Sequence, residues 1–320
     1  MAVFRVRPTG YRYPVGLNDL GNFTGTVDYL IVAGGGGGGF DRGGGGGAGG
    51  YLCGVSGENT GGGNPAQPAA TFVASQTYTV TVGSGGPFSG GPTSARAANG
   101  SFSLITNASP GSNSTYLYAV GGGGAGSQQV TGHLGGSGGG NGSESTSPGG
   151  AGTSNQGYAG GSGQPVEVGT YNRTGGGGGG AGATGVTGTP NGNTRADGGV
   201  GVQSVINGTP TFRAGGGGAG QQSGPASQGG TGGGGNASAP GTINTGGGGG
   251  GAADAPAAPN AGSGGSGVVI IRWSSSFGNT AYGTGSTLTT SPGYIIHTFT
   301  GNGSLITNSN FGAASTFSIN

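Results

Sequence analysis

Apolar positions along the chain come in short bursts, and each burst has a period of two or none at all. In Tyr78-Thr-Val-Thr-Val82 the apolar side chains alternate with threonines, the pattern of a strand with one buried face. Phe102 and Leu104 alternate with Ser101 and Ser103 in the same way, which predicts that the phenylalanine and leucine side chains are the buried ones. Ile295, His297 and Phe299 share one face of a further strand, with Tyr294, Ile296 and Thr298 on the other. Val268-Val-Ile-Ile271 is continuous and β-branched, is closed by Arg272-Trp273, and so is expected to be covered on both faces. No segment repeats at helical spacing, so a chain poor in helix is expected.

Two of the apolar segments run straight into glycine. Tyr29-Leu-Ile-Val-Ala33 leads into Gly34 to Gly39 and Tyr116-Leu-Tyr-Ala-Val120 into Gly121 to Gly124, and seven uninterrupted runs of four to six glycines punctuate the chain. A linker would be diluted with serine and placed at a domain boundary, whereas here glycine begins where a buried strand ends. Ordering glycine costs ~0.5–1 kcal/mol more per residue than ordering alanine, so over these runs the cost is on the order of tens of kcal/mol. Only an arrangement that needs the absence of Cβ offsets it. Packed polyglycine II helices are such an arrangement, with a rise of ~3.1 Å per residue and peptide groups that point outward to bond with neighbouring helices. Ala48, Ala125, Ala181 and Ala219 stand at run ends, where their methyl groups are expected on the bundle perimeter. The inserts between runs, chiefly 126–149, 153–174, 183–214 and 220–231, are expected to form loops at the two ends of an up-and-down bundle.

The expected fold is therefore all-β with almost no α-helix: a small antiparallel β-sandwich with an inserted bundle of glycine-rich polyglycine II helices. Three regions follow: an N-terminal attachment arm at 1–27, a glycine-rich β/polyglycine II domain at 28–273, and a C-terminal β segment at 274–320 that completes or extends the sheet. One internal echo, Asn99-Gly-Ser-Phe-Ser-Leu-Ile-Thr-Asn107 against Asn302-Gly-Ser-Leu-Ile-Thr-Asn308, differs by a two-residue insertion. It predicts two equivalent hairpin strands with matching faces.

Composition narrows the possibilities. Glycine supplies 93 of 320 residues, near the share in collagen, but no Gly-X-Y register is sustained. Charged residues make up only 5% with a net charge of +1, which separates the chain from highly charged disordered proteins. Lysine is absent and the arginines are scattered apart from Arg5, Arg7 and Arg12, so a phosphate-neutralising surface, and with it a nucleic-acid partner, is not expected. The longest wholly apolar runs fall far short of the ~20 residues that span a bilayer, so no membrane insertion is expected. The first residues hold no apolar stretch of about 7–15 residues, so no secretory signal is read there. Cys53 is the only cysteine, which excludes an intrachain disulfide and a cysteine-based zinc site.

Candidate chemistry is sparse. Glycine-loop nucleotide motifs match by composition alone, and a Walker loop needs a lysine that the chain lacks. His133 and His297 have no carboxylate at metal-ligand spacing, the carboxylates are never closely paired, and no nucleophile elbow occurs. No catalytic residue, metal site or cofactor is therefore expected, and His297 is read as structural. In the inserts, Tyr158, Tyr171 and Phe212 lie near Arg173, Arg195 and Arg213, a combination of large contact area and directed hydrogen bonding that suits receptor binding. Capping of the bundle ends is the competing role, and for Phe212 the favoured one.

The segment Val27-Asp-Tyr-Leu-Ile-Val-Ala33 followed by glycine, with Tyr78-Thr-Val-Thr-Val82-Gly and Gly267-Val-Val-Ile-Ile-Arg272-Trp, resembles the glycine-rich domain of bacteriophage tail fibres and adhesins over residues 28–273. The resemblance implies a non-enzymatic virion structural protein, extracellular after host lysis, that attaches to the bacterial surface. Homo-oligomerisation is implied as well. Its partners would be other virion proteins, through an arm carrying Phe4, Arg5, Arg7, Tyr11, Arg12 and Tyr13, and a bacterial surface glycan or outer-membrane protein. The alternative is a capsid decoration or self-assembling extracellular filament with no receptor-binding role.

Overall fold

The computed structural model describes residues 23–107, 116–164, 173–189, 194–254, 260–278 and 280–313. The attachment-arm candidates Phe4, Arg5, Arg7, Tyr11, Arg12 and Tyr13, and Tyr171, lie outside the described residues. Eleven strands form: β1 (Thr24–Val32), β2 (Tyr51–Cys53), β3 (Ala70–Val73), β4 (Thr77–Thr81), β5 (Ser103–Asn107), β6 (Tyr116–Ala119), β7 (Val202–Ser204), β8 (Thr211–Arg213), β9 (Val268–Ser274), β10 (Ala281–Ser291) and β11 (Tyr294–Thr307). Among the described residues the only helical pieces are single 3₁₀ turns at Gly61–Gly63 and Ser275–Phe277.

Nine strands join in one sheet of order β2-β1-β9-β11-β4-β5-β6, with β3 beside β1 and β10 beside β11, while β7 and β8 form a separate hairpin. Every strand pair is antiparallel. β11 is long enough to serve two neighbours in turn: Tyr294 to Phe299 pair with β9, and Gly303 to Ile306 pair with β4.

The sheet bends until it nearly closes. Its inner face gathers Val27, Tyr29, Ile31, Tyr78, Val80, Ile105, Trp273, Phe299 and Leu305 into one buried cluster. The opposite faces of β1 and β9, with Leu30, Val32, Val268 and Ile270, bury against Ala48, Tyr51, Ala181, Ile206 and Ala214. Residues 268–271 are thus covered on both sides, as their unbroken apolar run implies. The gap between the edge strands β2 and β6 is bridged by the Gly50 N–H, which donates to the Val120 carbonyl at 2.8 Å, and by Gln156. Gln156 accepts from Tyr51 N–H through its backbone carbonyl (3.0 Å), while its side-chain amide accepts from Val120 N–H (2.7 Å) and donates to the Tyr118 carbonyl (3.0 Å).

Two facing expectations are overturned. In β5 it is Ser103 and Ile105 that are buried, while Phe102 is 43% exposed. The reason is that the Ser103 hydroxyl is fully used inside, donating to the Val32 carbonyl and accepting from Gly83 N–H, both at 2.9 Å. A satisfied hydroxyl costs little to bury. The internal echo places its two copies on either side of β4, but Thr79 faces Thr106 in one and Ser304 in the other. Those partners are three positions apart in the aligned copies, an odd offset, so Leu305 is buried where the equivalent Leu104 is half-buried on the outside.

The glycine runs pack on one another beyond the sheet, and their hydrogen bonds repeat every third residue. Gly44 and Gly47 donate to Gly126 and Gly123, Gly45 and Ala48 to Gly176 and Gly179, and Gly46 and Gly49 to Gly249 and Gly246. The run from Gly34 behaves alike: Gly34 and Gly37 donate to Ser101 and Ala98, Gly35 and Gly38 to Gly265 and Gly262, and Gly36 and Gly39 to Gly47 and Gly44. The order of acceptors shows that most neighbouring runs are antiparallel. Backbones approach so closely that a Cβ at Gly36, Gly45 or Gly249 would overlap a carbonyl group of the next run.

The run-end alanines are not on the perimeter: Ala48, Ala125, Ala181 and Ala219 are all fully buried, and Ala48 and Ala181 cement the runs to the outer face of β1 and β9. Nor are the inserts loops throughout. Val186 accepts from Gly177 N–H and donates to Asp197, taking part in the lateral network with its side chain 45% exposed. Only positions facing another run require glycine, so a perimeter segment can carry ordinary side chains and still belong to the bundle.

His297 sits inside the sheet, stacked on Trp273 at 5.3 Å, with Nδ1 2.9 Å from the Ser286 hydroxyl and Nε2 buried without a hydrogen bond among the described residues. Burial pushes its pKa down, and burial together with Arg96 does the same at His133. The unfolded chain then binds protons more readily than the folded one. Stability is therefore complete above the ordinary imidazole value of 6.5 and declines as pH falls below it. The decline is at most about 1.4 kcal/mol per pH unit for His297 and smaller for the more solvent-screened His133. Melting curves from pH 8 to 5 check this: the drop should flatten in His297→Gln, and an equal drop in that variant would remove His297 as its source.

Candidate functional site

The direction of each run decides which turns sit together. Ala33 leaves β1 and the run to Gly39 climbs away from the sheet; Phe40, Asp41 and Arg42 turn it, and the run from Gly43 returns to Ala48 beside β1. Asp41 and Arg42 adopt left-handed φ of 47° and 52° to make that turn. Other turns reach the same far end, because Ser143 N–H donates to the Arg42 carbonyl, Gly220 N–H to Gly43, and Gln222 N–H to Arg173.

The ion pairs formed outside the sheet among the described residues collect there. Arg42 Nε lies 3.1 Å from both Asp41 Oδ1 and Asp254 Oδ1, and Gln222 Nε2 donates to Asp254 Oδ2 at 3.3 Å. Arg173 pairs with Glu144, whose carboxylate also accepts from Gln128 Nε2 (2.6 Å) and Gln129 Nε2 (3.4 Å). Arg195 Nε pairs with Asp197 Oδ2 at 3.3 Å, and Asp197 Oδ1 accepts from Gln228 N–H at 2.7 Å. Arg195–Asp197 is exposed and adds little to stability, whereas Arg42 and Asp41 are largely buried, and together the pairs fix an arrangement of donors and acceptors. No group of three or more His, Cys, Asp or Glu suited to a metal ion occurs among the described residues.

The residues singled out from sequence divide between the two ends. Arg173 and Arg195 belong to the far end. Tyr158 lies at the sheet end, where its N–H donates to the Gly180 carbonyl and its hydroxyl stands over Gly63. Phe212 and Arg213 are in β8, the first 42% exposed, the second buried at 6%. Arg213 is a buried cation whose Nη1 has no partner among the described residues; burial pushes its pKa down, against the pull of Tyr51 and Glu58. The five candidates within the described residues therefore do not form one surface.

Sequence reading missed Asp41, Arg42, Glu144 and Asp254. For Asp41 and Arg42 the signal was the break Phe40-Asp41-Arg42, the shortest interruption between two long glycine runs, where only a tight turn fits; Glu144 and Asp254 carried none. It also missed Arg272 as an anchor. Arg272 Nε pairs with Asp28 Oδ2 at 2.9 Å, Nη1 donates to the Val205 and Ile206 carbonyls, and the guanidinium lies 4.3 Å over the Tyr294 ring. It pins the β7–β8 turn to the sheet. Cys53 is inert by comparison: its thiol donates to Glu58 Oε2 at 3.4 Å and burial pushes its pKa up to about 12.

A family model described as a glycine-rich domain matches residues 19–274. No curated protein and no solved structure matches the chain.

Proposed function

The chain belongs to the glycine-rich domain family, and from that premise we propose that it is a non-enzymatic virion structural protein, a bacteriophage tail fibre or adhesin that attaches the particle to the bacterial surface. One observation carries the reading: a rigid backbone lattice delivers side-chain-bearing turns to one end, where exposed Gln129 and Arg195 and half-buried Glu144 and Gln222 present polar groups held by hydrogen bonds and ion pairs. We read the runs as polyglycine II helices, because N–H groups that point to three different neighbours in rotation are what a three-residue turn produces. We read the bent sheet as a small sandwich filled by the inner cluster around Trp273. In this reading the part of the 1–27 arm that precedes β1 joins other virion proteins, since residues 24–27 pair with β3; the protein is extracellular after lysis, it assembles as a homo-oligomer, and the far turns meet a surface glycan or outer-membrane protein.

The test combines location with binding. Immunogold electron microscopy of particles carrying the chain should label a tail tip, and the purified, fluorescently labelled protein should be retained by bacterial cells of at least one strain. Exchanging Arg195 and Gln222 for alanine should abolish retention without moving the melting temperature, since exposed substitutions cost no more than about 0.5 kcal/mol. Label on the capsid, or retention by no strain, would assign the chain a purely architectural role instead.

A further inference from the structure

The outer face of the sheet, at the opposite end from the polar turns, carries a surface of different chemistry. Three aromatic rings stand on it side by side. Tyr116 is 66% exposed and lies nearly parallel to Tyr118, at 6.0 Å and 9°, and Phe102 packs against Tyr118 at 5.4 Å. Tyr116 and Tyr118 occupy β6, the last strand in the sheet order, whose outer edge at Tyr118 is met by the Gln156 side chain and not by another strand.

A row of hydroxyls leads away from the rings. Tyr116 is opposite Thr106, Thr106 opposite Thr79, Thr79 opposite Ser304, and Ser304 opposite Thr284, whose hydroxyl is 2.8 Å away. With strands ~4.8 Å apart, the row from Thr284 to Tyr116 extends about 19 Å. No Asp, Glu, Lys or Arg occurs in β4, β5, β6, β10 or β11.

We propose that the outer face of β4, β5 and β6 is a binding platform for a neutral, extended oligosaccharide, stacked on Tyr116, Tyr118 and Phe102 and hydrogen-bonded along the threonine row. A pyranose ring has an apolar C–H face, which is drawn to the electron-rich face of an aromatic ring, and a rim of hydroxyls. Parallel rings beside a row of side-chain hydroxyls match both features at once. The absence of charge across the strands selects an uncharged glycan, because an anionic one would find no counter-charge. It also disfavours a second copy of this chain as occupant: a lasting protein interface needs a broad apolar centre, and here Leu104, between Tyr118 and Thr81, and the rings are flanked by the hydroxyls of Thr79, Thr81 and Thr106. The role is separate from attachment through the far turns, so the two readings fail independently.

The experiment is a calorimetric titration of the full chain with cellohexaose, maltohexaose and chitohexaose as probes of neutral glycans. At least one should bind, with an affinity unchanged between low and high salt, as expected without charged contacts. Tyr116→Ala should weaken that binding about tenfold or more and leave the melting temperature unchanged, and Phe102→Ser should act in the same direction. Failure of all three sugars to bind, or full binding by the Tyr116→Ala/Phe102→Ser double variant, overturns the proposal. A Tyr116-dependent dimer in sedimentation also overturns it, since the face would then belong to a second copy.

Discussion

Replacing Gly46 by valine should abolish cooperative folding. Gly46 lies where five runs meet: its N–H donates to Gly249 at 2.8 Å, its carbonyl accepts from Gly217 at 2.9 Å, and Cβ atoms placed at Gly178 or Gly248 would collide with that carbonyl. A Cβ on Gly46 itself would overlap the Gly36 carbonyl, which is backbone and has no rotamer by which to move away. Relief requires separating two runs, and each run is tied to its neighbours every third residue, so several hydrogen bonds are lost together. Each buried group left unsatisfied costs about 1–3 kcal/mol, and a total above about 5 kcal/mol rivals the stability of a typical domain. The control is Gly301→Ala, where a Cβ meets nothing, and a change within about 0.5 kcal/mol is expected. Denaturant unfolding followed by circular dichroism separates the two. If Gly46→Val unfolds at the wild-type midpoint, the lattice is looser than these contacts require.

Trp273→Ala should remove about 3–5 kcal/mol, the usual result of deleting a large buried aromatic. Trp273 is 1% exposed, stacks on His297, meets Phe311 edge-on at 5.6 Å, and donates from Nε1 to the Gly278 carbonyl at 3.3 Å. It therefore holds β9, β11 and the C-terminal turn around Phe311 to one centre. The loss should be larger than for Phe277→Ala, whose ring packs at the margin of the same cluster. A loss below about 1 kcal/mol would mean that the interior collapses to fill the void.

Much of the strand layout was legible in sequence, because period two and β-branched runs are local signals. β4, β9 and the first half of β11 lie where the alternation placed them, and the unbroken run at 268–271 correctly signalled two covered faces. Ser103 shows the limit: its polarity reads as surface, and only distant partners, Val32 and Gly83, make it an interior residue. The echo failed for a related reason, since register is fixed by pairing to β4 and not by the repeated sequence. Candidate site residues were hardest to place. Whether an insert lies at one end of the bundle or the other depends on the direction of the run that feeds it. Arg173 and Phe212, similar in composition and context, therefore end on opposite sides. Gln156 carries no signal at all, because its task is defined by two strand edges far from it in the chain.

The position of β11 has a consequence for synthesis on the ribosome. It is the latest strand in sequence, yet it lies between β9 and β4 in the middle of the sheet. Until residues 294–307 emerge, β4 has a partner on one side only, and β1 waits likewise for β9. The early strands cannot close into a stable intermediate, and the pairings that complete the sheet span most of the chain. Such high contact order makes folding slow and defers it until β11 has emerged. The glycine runs suit that delay, since the long polar tracts between the waiting strands offer few apolar surfaces for premature association.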